Sequence, residues 1–311
     1  MIQTVSKTFF HALAGSDGLK RLASRYGFRD KGGFARRFIA GETVDEAITA
    51  ARPIEQAGMT QTLDLLGESV ASIAEADIAT RAYLALLEKI VAAGIGRNIS
   101  LKLTQLGLSI DRATTVDNLR RILDVAANHD FFVRIDMENS PFTQVTLDVF
   151  ETMWQQGYRN AGVVLQSCLR RSLEDARRMN ALGARVRLVK GAYREPRSVA
   201  YQAKAQVDAA YVDIMKVLLS EGHYPAIATH DPAMIAATRA HAAADGVAPE
   251  RFEFQMLYGI RRDLQAQLTA EGFRVRVYVP FGREWFPYFM RRLGERPANV
   301  GFVVRGILSE R

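Results

Sequence analysis

The sequence predicts a closed (β/α)8 barrel of the TIM type, preceded by a short helical arm. Three observations carry this. Short β-branched or apolar runs alternate with helical stretches, which implies parallel strands joined by right-handed crossovers. The alternation recurs eight times over roughly 250 residues, the usual size of such a barrel. Polar and charged residues cluster at the ends of successive strand candidates, where barrel enzymes keep their sites. An open doubly wound sheet is the structural alternative. It would normally show a Gly-rich turn after its first strand, and Leu66-Gly67-Glu68 offers one glycine.

Residues 1–43 read as an arm of short helices over 5–14, 19–26 and 34–39, broken at Gly15 and at Lys31-Gly-Gly33. The arm is too short to hold a core of its own, so it packs on the body or on another subunit of a homo-oligomer. A helix over 44–57 leads into the barrel body, residues 44–311. Strands are expected at 62–66, 99–103, 132–137, 162–166, 186–189, 225–229, 252–256 and 275–279. Helices are expected between them at 71–93, 116–129, 146–156, 172–182, 199–221, 232–245 and 258–271.

The last strand runs into Pro280-Phe-Gly282 and then a helix over 284–295 with two stripes. Phe286, Phe289, Met290 and Leu293 share a helical spacing and form a buried face. Tyr288, Arg291, Arg292 and Glu295 have the same spacing on the opposite side. Taken alone, that polar stripe reads as a solvated face with an Arg–Glu pair. Its sharper reading is a ligand-facing edge, with two guanidiniums forking a carboxylate.

Nearly half of the 311 residues are apolar and the net charge is +7. No apolar run reaches the roughly 18 residues of a membrane-spanning helix. The N-terminus lacks the charged start and longer apolar block of a signal peptide. The single Cys168 leaves no partner for an internal disulfide, fits a reducing cytosol and reads as a small buried apolar residue. The basic balance without a basic block and interleaved aromatics argues against nucleic acid. With Phe9-Phe10 in the arm, it points instead to a cytoplasmic protein with a peripheral contact at the inner face of the membrane.

The polar strand ends define the candidate site. Lys102 lies near the end of the second strand, and Asp136 and Glu138 close the third. Gln166 closes the fourth; Arg187, Lys190 and Tyr193 run through and out of the fifth. Thr229, His230 and Asp231 close the sixth, Gln255 ends the seventh, and Tyr278 lies in the eighth. So many charges on successive strands are costly without a ligand or mutual pairing. There is no G-x-G-x-x-G, Walker A, H-E-x-x-H, C-x-x-C or G-x-S-x-G motif. His230-Asp231 has no further metal-ligating partners, so no metal is expected. A cation-rich mouth with carboxylates favours an anionic ligand. Two enzyme classes fit: a flavin enzyme, or a Schiff-base lyase or aldolase with Lys102 or Lys190 as the amine, destabilised as an ammonium by Arg187. A basic binding protein is the non-enzymatic reading.

Several runs resemble proline dehydrogenases. They are Ser100-Leu-Lys-Leu-Thr-Gln-Leu-Gly107, Arg134-Ile-Asp-Met-Glu138, Val163-Val-Leu-Gln166, Arg187-Leu-Val-Lys-Gly-Ala-Tyr193, Ala228-Thr-His-Asp231, Phe254-Gln-Met-Leu-Tyr-Gly259, Tyr278-Val-Pro-Phe-Gly282 and Tyr288-Phe-Met-Arg-Arg-Leu-Gly-Glu295. The likeness covers about residues 60–311, in order, at every strand end, and its length is that of the stand-alone bacterial form. It implies a distorted barrel with FAD at its mouth and the last helix lying over the barrel end. It implies oxidation of L-proline to 1-pyrroline-5-carboxylate by hydride transfer, with a membrane quinone reoxidising the flavin. Lys102, Arg291 and Arg292 would hold the proline carboxylate, and Glu295 would offset one of those cations. Tyr278, Tyr288, Tyr193 and Leu257 would wall the ring. Asp136 and Arg187 would be catalytic-site residues. Met137, Gln166, Arg187, Leu188, Val189, Lys190, Thr229, His230 and Gln255 would line the FAD. Cys168-Leu-Arg follows Gln166 where the family often has an aromatic residue, a departure at the flavin's outer edge.

Overall fold

A computed structural model of the chain describes residues 34–295, with side chains over residues 35–290. The arm helices expected over 5–14 and 19–26, the Phe9-Phe10 pair, and the side chains of Arg291, Arg292, Leu293 and Glu295 lie outside the described residues. Eight parallel strands close in sequence order, the first pairing with the last. The strands are β1 Thr60–Leu65, β2 Asn98–Leu101, β3 Phe132–Ile135, β4 Ala161–Gln166, β5 Arg185–Val189, β6 Ala226–Ala228, β7 Glu253–Leu257 and β8 Val275–Phe281. The helices are α1 Val44–Gln56, α2 Ile73–Ala93, α3 Arg112–Asn128, α4 Ser140–Gln155, α5 Ser172–Ala181, α6 Lys204–Glu221, α7 Pro232–Ala244, α8 Arg262–Ala270 and α9 Trp285–Glu295. The expected (β/α)8 architecture is the one found.

Helix starts follow their caps. Thr43 and Glu46 form a reciprocal capping box at the head of α1. Asp111 accepts from Thr114 N at 2.6 Å, so α3 begins earlier than its apolar spacing suggests. Helix α4 likewise starts earlier, with Pro141 in its first turn. Two expected helices start late. Residues 199–203 form a loop tied to residues 168–170 through a bridge between Leu169 and Ala200. Residues 258–261 form a turn in which Gly259 and Arg261 have φ of +72° and +51°. A side chain at Gly259 would meet the Arg37 carbonyl oxygen at 1.6 Å, so glycine is required for that close approach. The 34–39 helix is a short 3-10 turn, Phe34–Arg37.

Strand alternation sorts the side chains into two layers. Leu63, Ile99, Val133, Val163, Val186 and Phe254 are closed off in the barrel–helix core. Burying each contributes about 1.5–3 kcal/mol. The opposite parity places Asp64, Ser100, Arg134, Asp136, Arg187, Glu253, Arg276 and Tyr278 inside the barrel. The lumen is therefore a charged interior held by pairing. Near its lower end Arg276 forks Glu253 at 2.9 and 3.1 Å, and Gln255 Nε2 donates to Glu253 at 2.5 Å. Arg134 donates to the carbonyls of Val163 and Arg185 at 3.0 and 2.6 Å. That guanidinium lies against Gly162, where any Cβ would collide with it and with the Arg185 carbonyl.

Helix α9 covers the barrel mouth. Trp285, Phe286, Tyr288, Phe289 and Met290 bury against Ala35, Phe38, Ile39, Leu66 and Ile260, with Leu257 and Tyr278 packed below. Phe38 and Phe289 lie 6.2 Å apart, and Trp285 makes edge contacts with Phe286 and Phe289. Tyr288 is only 7% exposed. The first member of the polar stripe is thus buried, which overturns the solvated-face reading at that position. Residues 40 and 41 pair with the end of β8 and bind the segment to the barrel rim.

Candidate active site

Two groups of paired polar side chains occupy the upper lumen and the strand ends. Arg187 Nη1 donates to Asp136 Oδ1 at 2.7 Å and its Nη2 to Ser100 Oγ at 3.1 Å. Ser100 Oγ lies 3.2 Å from Thr62 Oγ1. Tyr278 Oη donates to Asp136 Oδ2 at 3.0 Å, and the Arg187 guanidinium stands over the Tyr278 ring at 5.4 Å. Burial, then the nearby Asp136 charge, pushes the Tyr278 phenol well above its ordinary value, so it stays a donor. The Lys102 ammonium lies 3.6 Å from Asp64. Burial alone would lower the Lys102 pKa, but Asp64 and then Asp136 outweigh it and hold the amine above its ordinary value. Tyr193, in the loop after β5, is close enough to act on the same ammonium.

A second group surrounds the ends of β5, β6 and β7. Lys190 donates to Asp208 and Asp231 at 2.5 and 2.7 Å. The sequence-based expectation of a lysine destabilised by Arg187 is therefore corrected. Lys190 has two carboxylate partners, and Lys102 is stabilised as an ammonium. His230 Nε2 accepts from Leu257 N at 2.9 Å, which places the neutral ring's proton on Nδ1. Asp231 N donates to Thr229 Oγ1 at 3.0 Å. Gln166 Nε2 donates to the Glu138 carbonyl at 2.8 Å, and the Glu138 carboxylate holds Thr104 through N and Oγ1 at 3.2 and 2.6 Å. Met137 is buried beside this turn. Alternation turns the Leu188 side chain into the barrel–helix core, so only its backbone faces the lumen, whereas Val189 has the opposite parity.

A cleft of about 520 Å³ opens between the loop after β1, α2 and the start of α9; Glu68, Lys102, Gln105 and Tyr288 are among its walls. Asp136, Arg187, Lys102, Tyr278, Tyr288, Leu257 and Tyr193 thus gather beneath the α9 cap. Gln166, Lys190, Thr229 and His230 gather along the adjoining strand ends, whereas Gln255, expected to end its strand, lies in the middle of β7 with its amide nitrogen on Glu253. Arg291, Arg292 and Glu295 lie outside the residues whose side chains are described. Sequence reasoning missed Asp64 and Ser100. Both were legible as polar residues of inward parity in β1 and β2, in strands otherwise closed to solvent.

Paired carboxylates and cations under an aromatic cap, at the carboxyl end of a closed barrel, mark a (β/α)8 enzyme for a small charged ligand. The family model described as proline dehydrogenase matches residues 47–305, and the chain belongs to that family. It is 40% identical over 301 residues to "Proline dehydrogenase 1" of Bacillus subtilis (strain 168), covering 97% of this chain and 98% of the relative. It is 44% identical over 279 residues to "Proline dehydrogenase" of Deinococcus radiodurans, covering 88% and 90%. Among solved structures it is similar to proline utilization A of Bdellovibrio bacteriovorus inactivated by N-propargylglycine. That match has a TM-score of 0.78 and 29% identity and covers 84% of this chain. The chain spans about one third (32%) of that longer protein. Among the described residues no helix is long and apolar enough to cross a membrane.

Proposed function

We propose that the chain oxidises L-proline to 1-pyrroline-5-carboxylate with FAD as its cofactor. The observation that carries this is the Lys102–Asp64 and Arg187–Asp136–Tyr278 network beneath the cap, in a chain of this family. The strand-end residues fit a flavin. Arg187 Nε and Gln255 Oε1 are buried without a hydrogen-bond partner, a donor and an acceptor suited to a ring edge that carries both kinds of group. Met137, Gln166, Arg187, Val189, Lys190, Thr229, His230, Gln255 and the Leu188 backbone would hold it. A bound flavin supplies the acceptor for the hydride leaving the ring carbon next to nitrogen.

The chain's own residues bind and orient. Lys102, with Arg291 and Arg292 of α9, receives the proline carboxylate, and Glu295 offsets one of these cations. Fixing the carboxylate far from the reacting carbon uses remote binding to set the ring's pose. Tyr278, Tyr288, Tyr193 and Leu257 wall the ring and exclude water. Asp136 and Arg187 act at the reacting face, Arg187 stabilising the negative charge that arrives there. The chain divides into an arm (1–43) and a catalytic body (44–311). A membrane quinone is the proposed electron acceptor, reached through a peripheral contact of a cytoplasmic protein. The Schiff-base alternative is disfavoured because both candidate amines are paired as ammonium ions, Lys102 with Asp64 and Lys190 with Asp208 and Asp231.

The test is steady-state turnover of L-proline with an artificial electron acceptor, in wild type and Lys102→Ala. A large rise in KM with flavin retained supports the assignment. An unchanged KM would remove Lys102 from carboxylate recognition.

A further inference from the structure

Asp64 is buried near the end of β1, behind Lys102. Its side chain is fully closed to solvent, yet neither carboxylate oxygen accepts a hydrogen bond within normal geometry. Burial pushes the Asp64 carboxyl up and Lys102 is the largest charge pulling it back, so a carboxylate so placed depends on that compensation. The nearest compensation is Lys102 Nζ at 3.6 Å, beyond hydrogen-bond length, so none of the ammonium's hydrogens is bound by Asp64. Lys102 itself reaches the wall of the cleft beside Tyr288.

We infer that Asp64 is a positioning residue for substrate binding: from behind, it fixes Lys102 in place and in charge while leaving the ammonium's hydrogens free for the incoming carboxylate. A closer, hydrogen-bonded acid would take at least one of the ammonium's three donors, and an apolar residue would leave a buried ammonium without a counter-charge. The surroundings fit this division of labour. Asp136 and Glu138 after β3, Tyr193 after β5 and Glu68 after β1 also act on Lys102, all from a distance. Around Asp64 stand Arg187 on β5, Tyr278 on β8 and Tyr83 on α2. Asp136 is already engaged by Arg187 and Tyr278. Among the described residues, Asp64 is the acid that stands within ion-pair distance of Lys102.

The inference rests on the assignment of Lys102 to the proline carboxylate. The experiment measures kcat, KM and flavin content for Asp64→Asn, Asp64→Glu, Lys102→Ala and the double variant Asp64→Asn/Lys102→Ala, from about pH 6 to 10. Cyclopentanecarboxylate, which has the carboxylate without the amine, serves as competitive inhibitor. For Asp64→Asn the expected result is a rise in KM and in the inhibition constant of tenfold or more, with kcat within about threefold and flavin retained. The rise should steepen at alkaline pH, where an uncompensated buried lysine loses its proton. Asp64→Glu should recover part of the affinity, and Asp64→Asn should add little in the Lys102→Ala background. Wild-type KM with an unshifted pH profile in Asp64→Asn, while Lys102→Ala is impaired, would overturn the inference alone. Full additivity in the double variant would do the same, and remains readable through inhibitor binding if the single variant turns over poorly. An unimpaired Lys102→Ala would instead remove the underlying assignment.

Discussion

Asp136→Asn is the sharpest single perturbation of the lumen network. The substitution keeps the side chain's shape and removes its charge. It weakens the 2.7 Å contact from Arg187 Nη1 and the 3.0 Å donation from Tyr278 Oη. The two side chains of the ion pair are only 6% and 14% exposed, so solvent screens little of the loss. Breaking a buried pair by removing one charge costs about 3–5 kcal/mol. Arg187 keeps Ser100 Oγ and its place over the Tyr278 ring, which points to the lower end, roughly 3 kcal/mol. Spent wholly in the transition state, that is about a hundredfold in kcat/KM. Spent on folding, it appears as a lower urea midpoint with an unchanged slope. Kinetics and urea unfolding on the same preparation divide the loss between the two. A variant matching wild type in both would show that the Arg187–Asp136 contact supports neither turnover nor folding.

Three further outcomes are expected. Tyr278→Phe keeps the ring over which Arg187 stands and removes one donor to a charged acceptor, so kcat/KM for proline should fall by about 1.5–3 kcal/mol equivalent; a loss below threefold would contradict this. Burial pushes the Glu253 carboxyl up, but Arg276 and Gln255 outweigh burial and hold it below its usual value. Its stabilising contribution is therefore full above the ordinary carboxylate range and lost as pH falls through the depressed value; Glu253→Gln should lower stability at neutral pH by about 3–5 kcal/mol and flatten the acid limb of the stability–pH curve, measured by urea midpoints from pH 3 to 8. Gly259→Ala places a Cβ against the Arg37 carbonyl at a left-handed φ, costing about 1–2 kcal/mol in backbone strain alone, and should expose the Phe34–Arg37 turn to limited proteolysis; wild-type resistance would mean that the cap does not depend on this contact.

The barrel was legible because its outward strand faces are almost purely apolar, as at Leu63, Ile99 and Val133, while the inward positions carry charge. Period-two alternation and repeated helical spacing report both facts directly. The helix starts at Lys204 and Arg262 were not legible, because the preceding residues look helical in composition and are committed instead to a loop bridge and a positive-φ turn. Asp64 escaped notice because one acid in the run Thr60-Gln-Thr-Leu-Asp-Leu65 has no local partner; its meaning comes from Lys102, brought alongside by strand pairing. The burial of Tyr288 was hidden for a similar reason. Helical spacing assigns it to a polar stripe, but the 34–41 segment and the barrel rim close over both sides of the first turns of α9.

The proposed function joins a flavin to proline at this barrel mouth. The most direct measurement is the visible absorption spectrum of the purified protein, recorded anaerobically before and after adding L-proline. The expected result is an oxidised flavin spectrum that bleaches on proline addition, with one 1-pyrroline-5-carboxylate formed per flavin. A colourless protein that takes up no flavin, or a flavin spectrum unchanged by saturating proline, would contradict it.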